Sequence, residues 1–428
     1  MKKMLSKNSV CHAIYCGVGA ASLMLVPVST AYAADTVVEA LGGGKVSGQF
    51  RYRYEWVDDQ TKTKNADAST MRTRLGYMTG DYLDISGFVQ FEDVHVVGGS
   101  EMYNSTVNGR TEYPVVVDPE GTEINQAFLM YKGVPGTVFK YGRQAITLDN
   151  QRFIGTVEWR QNAQSFDAFT VTNTSLPDTT IFYGHVSRVN RIFGQKSVQG
   201  DLDMASELLN VAYKGWAAGS LVGYGYLLDY MPAQPISNTL SNQTWGLRFD
   251  GGYKPESMGA KFLYTAEYAK QSDYADGVST VDGDYVNLMF GVDVSDIQVK
   301  LNYEVLSGDG VYGFSTPLAT LHAFNGWADK FLTTPRDGIK DIFLSASAVV
   351  LEGINLSGAY HLYTADNMGY DYGSELNLQV AKKINKSLVV TAKYAAYSAD
   401  TNTDNVTRNA TGAAKDLDKF WLMLDVQF

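Results

Sequence analysis

The chain has 428 residues, with 46 acidic against 35 basic side chains and a formal charge of −11, a balance that argues against nucleic acid as a partner. Its two cysteines, Cys11 and Cys16, lie within a leader-like segment, which excludes disulfide, thiol and cysteine–metal chemistry from the remainder. Tyrosines (28) outnumber phenylalanines (19), an aromatic load suited to a protein with two membrane–water interfaces.

At the start, Lys2, Lys3 and Lys7 precede a small apolar stretch at 17–28 and the cleavage pattern Ala31-Tyr32-Ala33. Residues 1–33 therefore read as a signal peptide and 34–428 as the mature protein. Cys16 precedes the apolar stretch, whereas a lipid-anchored cysteine follows it, so no lipid anchor is expected. No later segment approaches the ~18 consecutive apolar residues of a membrane-spanning helix. Gly42-Gly43-Gly44-Lys45 lacks phosphate-loop spacing and reads as a flexible lead into the first strand.

From Val46 the pattern has period two. Val46, Gly48, Phe50, Tyr52, Tyr54 and Trp56 alternate with Ser47, Gln49, Arg51, Arg53 and Glu55, so one face suits lipid and the other water. Met71, Thr73, Leu75 and Tyr77 oppose Arg72, Arg74 and Gly76; Leu83, Ile85, Val89 and Phe91 oppose Asp84, Ser86, Gln90 and Glu92. The pattern predicts 18 strands, near 45–57, 69–79, 82–95, 122–132, 136–143, 163–171, 178–189, 205–214, 217–229, 241–251, 258–270, 282–293, 296–306, 339–349, 353–363, 372–382, 387–398 and 418–428. Their connections alternate in length. Tight ones fall at 80–81, 133–136, around Gly215, at 294–295, 350–352 and 383–386; long ones fall at 96–121, 144–162, 190–204, 271–281, 307–338 and 399–417.

Such parity is what insertion of a barrel from the periplasm produces, with turns inside and loops outside. The fold class is thus all-β, a transmembrane antiparallel β-barrel with 18 strands, 16 being the alternative count, and with both termini periplasmic. The last strand, ending Leu424, Val426, Phe428, looks like the outer-membrane assembly signal read by the barrel assembly machinery, and it is placed to pair with 46–56 and close the sheet. Outer-membrane lipid and lipopolysaccharide are the surrounding partners.

A barrel of this width holds an aqueous lumen. Arg51, Arg53, Arg72 and Arg74 project into it from two adjacent strands, with Arg248 and Lys300 at the same phase later and with carboxylates at Glu55, Asp84, Glu92, Asp250 and Glu304. Opposed charges set up a transverse field that orients solutes; the blander reading is a wet wall whose charges neutralise one another. The stretch 144–162 is rich in Arg, Gln and Asn yet carries Ile146, Phe153, Ile154 and Trp159, so it has polar arms on an apolar anchor and is expected to fold into the lumen. Alternation from Phe139 and Tyr141 puts Arg143 on the lipid face, and a bulge that turns it inward is expected.

These segments resemble the alginate-export porin family. The resemblance is carried, in order, by Arg51-Tyr52-Arg53-Tyr54-Glu55, Gly142-Arg143-Gln144, Trp159-Arg160-Gln161-Asn162, Phe166-Asp167-Ala168, Tyr372-Gly373-Ser374-Glu375-Leu376 and Tyr394-Ala395-Ala396-Tyr397-Ser398-Ala399-Asp400. It implies an 18-stranded porin with a constricted pore whose arginines are Arg143, Arg152 and Arg160, with Asp149 as a counter-charge. The expected function is passive passage of small or oligomeric hydrophilic solutes, anionic in character and including alginate-like uronates. Arg152 and Arg160 are expected at the centre of that anion preference, with the acidic excess on outer loops. A non-selective general diffusion porin is the alternative. An outer-membrane enzyme is disfavoured, since no Gly-x-Ser-x-Gly elbow and no His-Glu-x-x-His pair occurs.

Two weaker features remain. Asp118, Glu120 and Glu123 form an oxygen-only set suited to Ca²⁺ or to divalent ions bridging lipopolysaccharide, but without full loop spacing; a solvated acidic loop is the simpler reading, and no other cofactor is expected. Leu318, Leu321, Phe324, Trp327 and Phe331 recur at helical spacing, which predicts a short helix packed at the barrel mouth.

Overall fold

The computed structural model describes residues 34–99, 101–231, 240–351, 353–400 and 414–428; the expected leader at 1–33 lies outside them. Among the described residues a short helix, α1 (Val37–Gly42), precedes 18 strands: β1 (Lys45–Asp59), β2 (Ala66–Met78), β3 (Ile85–Val96), β4 (Gly121–Val134), β5 (Thr137–Gln144), β6 (Ser165–Asn173), β7 (Thr179–Asn190), β8 (Asp201–Trp216), β9 (Gly219–Leu228), β10 (Asn242–Tyr253), β11 (Ala260–Asp273), β12 (Asp282–Val294), β13 (Ile297–Leu306), β14 (Ile339–Val350), β15 (Ile354–Thr364), β16 (Asp371–Lys383), β17 (Leu388–Ala399) and β18 (Leu417–Gln427). Each pairs antiparallel with its sequence neighbours, and β18 closes on β1 from Gln49↔Gln427 to Asp59↔Leu417. The count is 18, and closure leaves no edge for lipid to solvate.

The alternation seen in sequence is the alternation of the wall. Arg53 and Glu55 of β1 are buried inside while Phe50 is exposed outside; Leu75, Leu129, Leu247, Leu301 and Leu344 continue the exposed apolar band. No helix among the described residues is long and apolar enough to cross a membrane, so the crossing is made by strands.

Short turns gather at one end, among them 135–136, 217–218 and 295–296, and the long connections 97–120, 145–164 and 307–338 at the other. Both described termini lie at the turn end. Ala34 N donates to Asp81 O (2.9 Å), and Phe428 N donates to Gly48 O (3.0 Å), with the Phe428 ring stacked on Phe50.

Three local expectations are corrected. The glycine run at 42–44 caps α1, whose start is fixed by the Thr36 hydroxyl accepting from Glu39 N. β3 begins at Ile85, because Leu83 and Asp84 adopt left-handed φ of 50° and 61° and form the turn. The helical spacing at 318–331 yields only one 3₁₀ turn, Leu321–Ala323. Left-handed Asn325, Gly326 and Asp329 interrupt any longer helix, and the segment folds into the lumen instead.

Orientation is tested by cysteine labelling in whole cells, since the chain's two cysteines, Cys11 and Cys16, both precede the barrel. Met368 is exposed in the 365–370 loop and Leu351 in the 351–353 turn, whereas Ala323 belongs to the inward loop. Met368→Cys is expected to react with an impermeant reagent from outside and Leu351→Cys only after permeabilisation. The reverse pattern would invert the topology.

Candidate functional site

Four arginines on β1 and β2 form an inward ladder. Arg51 lies directly across from Arg72, and Arg74 across from Gln49. Arg53 and Arg72 are fully buried and Arg74 nearly so, while Arg51 is half-buried. Buried cations need partners, and these have them. Arg51 Nε lies 2.8 Å from Asp425 Oδ2, Arg53 Nη2 lies 2.7 Å from Glu55 Oε2, and Arg72 Nη2 donates to Gln49 Oε1 at 2.8 Å. Arg74 pairs with Glu92, and Glu158 Oε2 bridges the pair, 2.7 Å from Arg74 Nη1 and 3.5 Å from Arg72 Nη1. Burial pushes the Glu158 carboxyl up, but Arg74 and Arg72 outweigh it and hold the group below its ordinary range, as an anion.

The ladder also explains why 145–164 folds inward. An irregular segment inside a barrel has carbonyls with no ladder partners of their own, and these must be satisfied. The arginines take them in succession: Arg51 Nη1 donates to Glu158 O (2.8 Å), Arg53 Nη1 to Trp159 O, and Arg72 Nη1 to Arg160 O (3.3 Å) and Gln161 O (3.2 Å). The apolar anchors act as expected. Ile146, Phe153, Ile154 and Trp159 are all buried, Phe153 against Tyr224 and Tyr285.

A second inward loop, 307–338, packs against the first. Gly155 N donates to Leu318 O (2.9 Å) and Thr320 N to Gln151 O (3.0 Å), so the two loops share backbone bonds. Arg152 Nε lies 2.9 Å from Glu304 Oε1, and its Nη2 donates to Asn325 Oδ1 at 3.0 Å. Arg160 lies 2.9 Å from Glu55 and 3.3 Å from Asp329, which also holds Lys419 at 2.7 Å. Trp159 stacks on His322 with ring centroids 4.1 Å apart, and Arg53 and Lys393 approach its ring at 4.4 and 3.9 Å. Burial, seconded by Lys393 and opposed by Asp329, pushes the His322 imidazole down to about 3. The ring is therefore neutral: Nδ1–H donates to Asp329 Oδ1 (2.7 Å) and Nε2 accepts from Lys393 Nζ (3.0 Å).

The structure thus gathers Arg51, Arg53, Arg72, Arg74 and Arg160 about one stretch of wall and sets Arg152 across the loops. Arg143 stands apart. The β4–β5 register runs Ala127↔Arg143, Phe128↔Gly142 without an offset, so the expected bulge is absent at Arg143. Gly142, at φ +125°, absorbs the distortion without an added residue, and the alternation survives. Arg143 shares the outward phase of exposed Tyr141 and forms a two-pronged pair with Asp167, Nε–Oδ1 2.7 Å and Nη2–Oδ2 3.1 Å. Asp149 accepts from Asn210 Nδ2 (2.8 Å), tying the loop to β8, while Glu304, Glu55 and Asp329 are the counter-charges of Arg152 and Arg160.

The acidic trio is dispersed. Asp118 accepts from Gln161 N (2.9 Å), Glu120 from Val96 N (2.8 Å) and Glu123 from Gln195 N (2.7 Å), and among the described residues no three such side chains form a metal-binding group. Sequence reasoning missed Glu158, His322, Asp329, Lys393 and Lys419. The two lysines carried a usable signal, since each sits at inward phase on its strand beside buried Ala395 or Trp421.

Among solved structures, OccAB2 of Acinetobacter baumannii is similar with a TM-score of 0.72 at 15% identity, covering 91% of this chain and 99% of that one. OpdO of Pseudomonas aeruginosa gives 0.66 at 13%, covering 91% and 98%, and OpdK of Pseudomonas aeruginosa, solved with vanillate, gives 0.67 at 12%, covering 91% and 99%. At these identities the likeness is one of fold. No curated protein matches the sequence. The alginate export family matches residues 44–419, nearly the whole barrel, and the chain accordingly belongs to that family, as an 18-stranded outer-membrane porin through which small solutes pass.

Proposed function

We propose that this channel favours anions and passes small carboxylated solutes, alginate-like uronates among them, with Arg51, Arg72 and Arg74 as the basic side of its constriction. The observation that carries this reading is the stacking of like charge, Arg51 directly opposite Arg72 with Arg74 beside them. Like charges facing one another across a sheet are destabilising, and besides holding the loop carbonyls they concentrate positive charge on one side of the lumen. Planar guanidinium forks at a narrow point suit carboxylates. Arg152 and Arg160, central to the sequence-based expectation, are engaged by Glu304, Glu55 and Asp329 and serve this reading as loop anchors. The vanillate in OpdK is itself a carboxylate, held by a barrel of the same fold.

The test is efflux of radiolabelled glucuronate and glucose, which are alike in size, from proteoliposomes. Wild type is expected to pass glucuronate faster. An Arg51→Gln, Arg74→Gln variant loses charge-assisted hydrogen bonds of about 1.5–3 kcal/mol each, so the ratio should fall by about a hundredfold or more where both contacts discriminate the two solutes. Equal rates for the two solutes in wild type would favour the general diffusion porin.

A further inference from the structure

We infer that Glu158 is a tethered competitor of the solute: its carboxylate fills a carboxylate site made by Arg72 and Arg74, and a carboxylated solute passes by exchanging with it. The inference rests on the anion-favouring reading and adds a regulation of that same site.

Three observations point to it. First, the arginine pair offers more than Glu158 uses. Arg72 Nε and Arg74 Nη2 are buried and hydrogen-bond to no described atom. Buried guanidinium donors are ordinarily satisfied, so the pair holds donor capacity that Glu158 leaves unused and that opens to a further acceptor only when Glu158 swings away. Second, Glu158 is the accessible partner. Its side chain is 19% exposed, against 0% for Arg72 and 7% for Arg74. Rotation toward the lumen frees the site without moving the loop, because Arg51 holds the Glu158 carbonyl and the Trp159 ring is clamped by Arg53, His322 and Lys393. Third, the exchange is balanced in charge. Glu92 remains on Arg74, and one carboxylate leaves as another arrives, so at no stage is the pair stripped of its counter-charge. A tethered carboxylate acts at a high effective concentration and weakens the apparent affinity for a free one.

The experiment uses the full channel in planar bilayers with potassium D-glucuronate as probe, reading the half-blocking concentration. Glu158→Gln removes the competitor's charge and should lower that concentration about tenfold or more; Glu158→Asp should stay near wild type, and adding Arg74→Gln should erase the gain. Glu158→Cys guards against a folding artefact, since the barrel itself contains no other cysteine and an already conducting channel can be modified in place. A sulfonate-bearing thiol reagent should raise its half-blocking concentration toward wild type, and a neutral reagent should leave it low. A Glu158→Gln channel blocked no better than wild type, or a Glu158→Cys channel indifferent to the charge of its adduct, would overturn the inference. Reversal potentials in KCl on the same channels separate the two claims. Chloride preference with unchanged glucuronate block removes the competitor alone, whereas potassium preference removes the anion reading and the inference with it.

Discussion

Replacing Arg160 with alanine should give a wider, noisier pore in a barrel that still assembles. Arg160 is buried and joins three elements: Glu55 on β1, the loop 145–164 that carries it, and Asp329 on the loop 307–338. Without it, Glu55 keeps Arg53 and Asp329 keeps Lys419, but two carboxylates remain in a space built for a further cation. Breaking such a buried set by removing one partner costs about 3–5 kcal/mol. That lowers the docked-to-undocked ratio of the loops by a factor of about 10² to 4 × 10³. The strand pairs of the wall do not depend on it, so heat-modifiable migration on gels should persist. Single-channel conductance is expected to rise, with added open-channel noise. An unchanged, quiet conductance would show that the loops hold without this junction.

Trp159→Ala should undock the same loop by a different route. The indole is stacked on His322, meets Trp421 edge-on at 5.5 Å, and lends its face to Arg53 and Lys393. Truncation leaves a cavity, at about 3–5 kcal/mol for a core tryptophan, and strips an aromatic face from the buried Arg53 guanidinium, at about 2 kcal/mol when desolvated. The consequence is legible by proteolysis. In the wild-type barrel Arg152 and Arg160 are buried and should resist trypsin; in the variant one of them should be cut while the barrel remains folded. Trp159→Phe, which keeps a π face, should restore most of the resistance. Equal resistance of wild type and Trp159→Ala would place the anchor elsewhere.

The wall was readable in advance because each strand faces two solvents, and that requirement is written residue by residue as period two. All 18 strands appear within a few residues of their expected places, and the parity of loop lengths sorts the two ends. The errors fall where a tertiary partner decides. The turn at Leu83–Asp84 reads as strand because its residues fit the alternation, and only the backbone's left-handed φ reveals it. Leu318, Phe324 and Trp327 suggest a helix by spacing, yet each is a separate contact inside the lumen. Arg143 teaches the opposite lesson. Alternation alone placed it outward, and the bulge invoked to bring it inward was not needed. The candidate site was legible as a set of charges but not as pairs, because its partners are remote in sequence: Arg160 and Glu55 are 105 residues apart, Arg152 and Asn325 173. Glu158 was overlooked because a single acid in an arginine-rich loop carries no period and no motif.

Local and global charge oppose each other in this molecule. The chain carries −11 overall, but exposed charges are screened beyond about 8 Å at physiological ionic strength, whereas charges lining a narrow, low-dielectric passage are focused by its walls. The ladder should therefore govern. The zero-current potential of the wild-type channel in asymmetric KCl tests this most directly. The account requires a sign reporting chloride over potassium, shifted toward potassium in the Arg51→Gln, Arg74→Gln variant; a wild-type channel that favours potassium would contradict it.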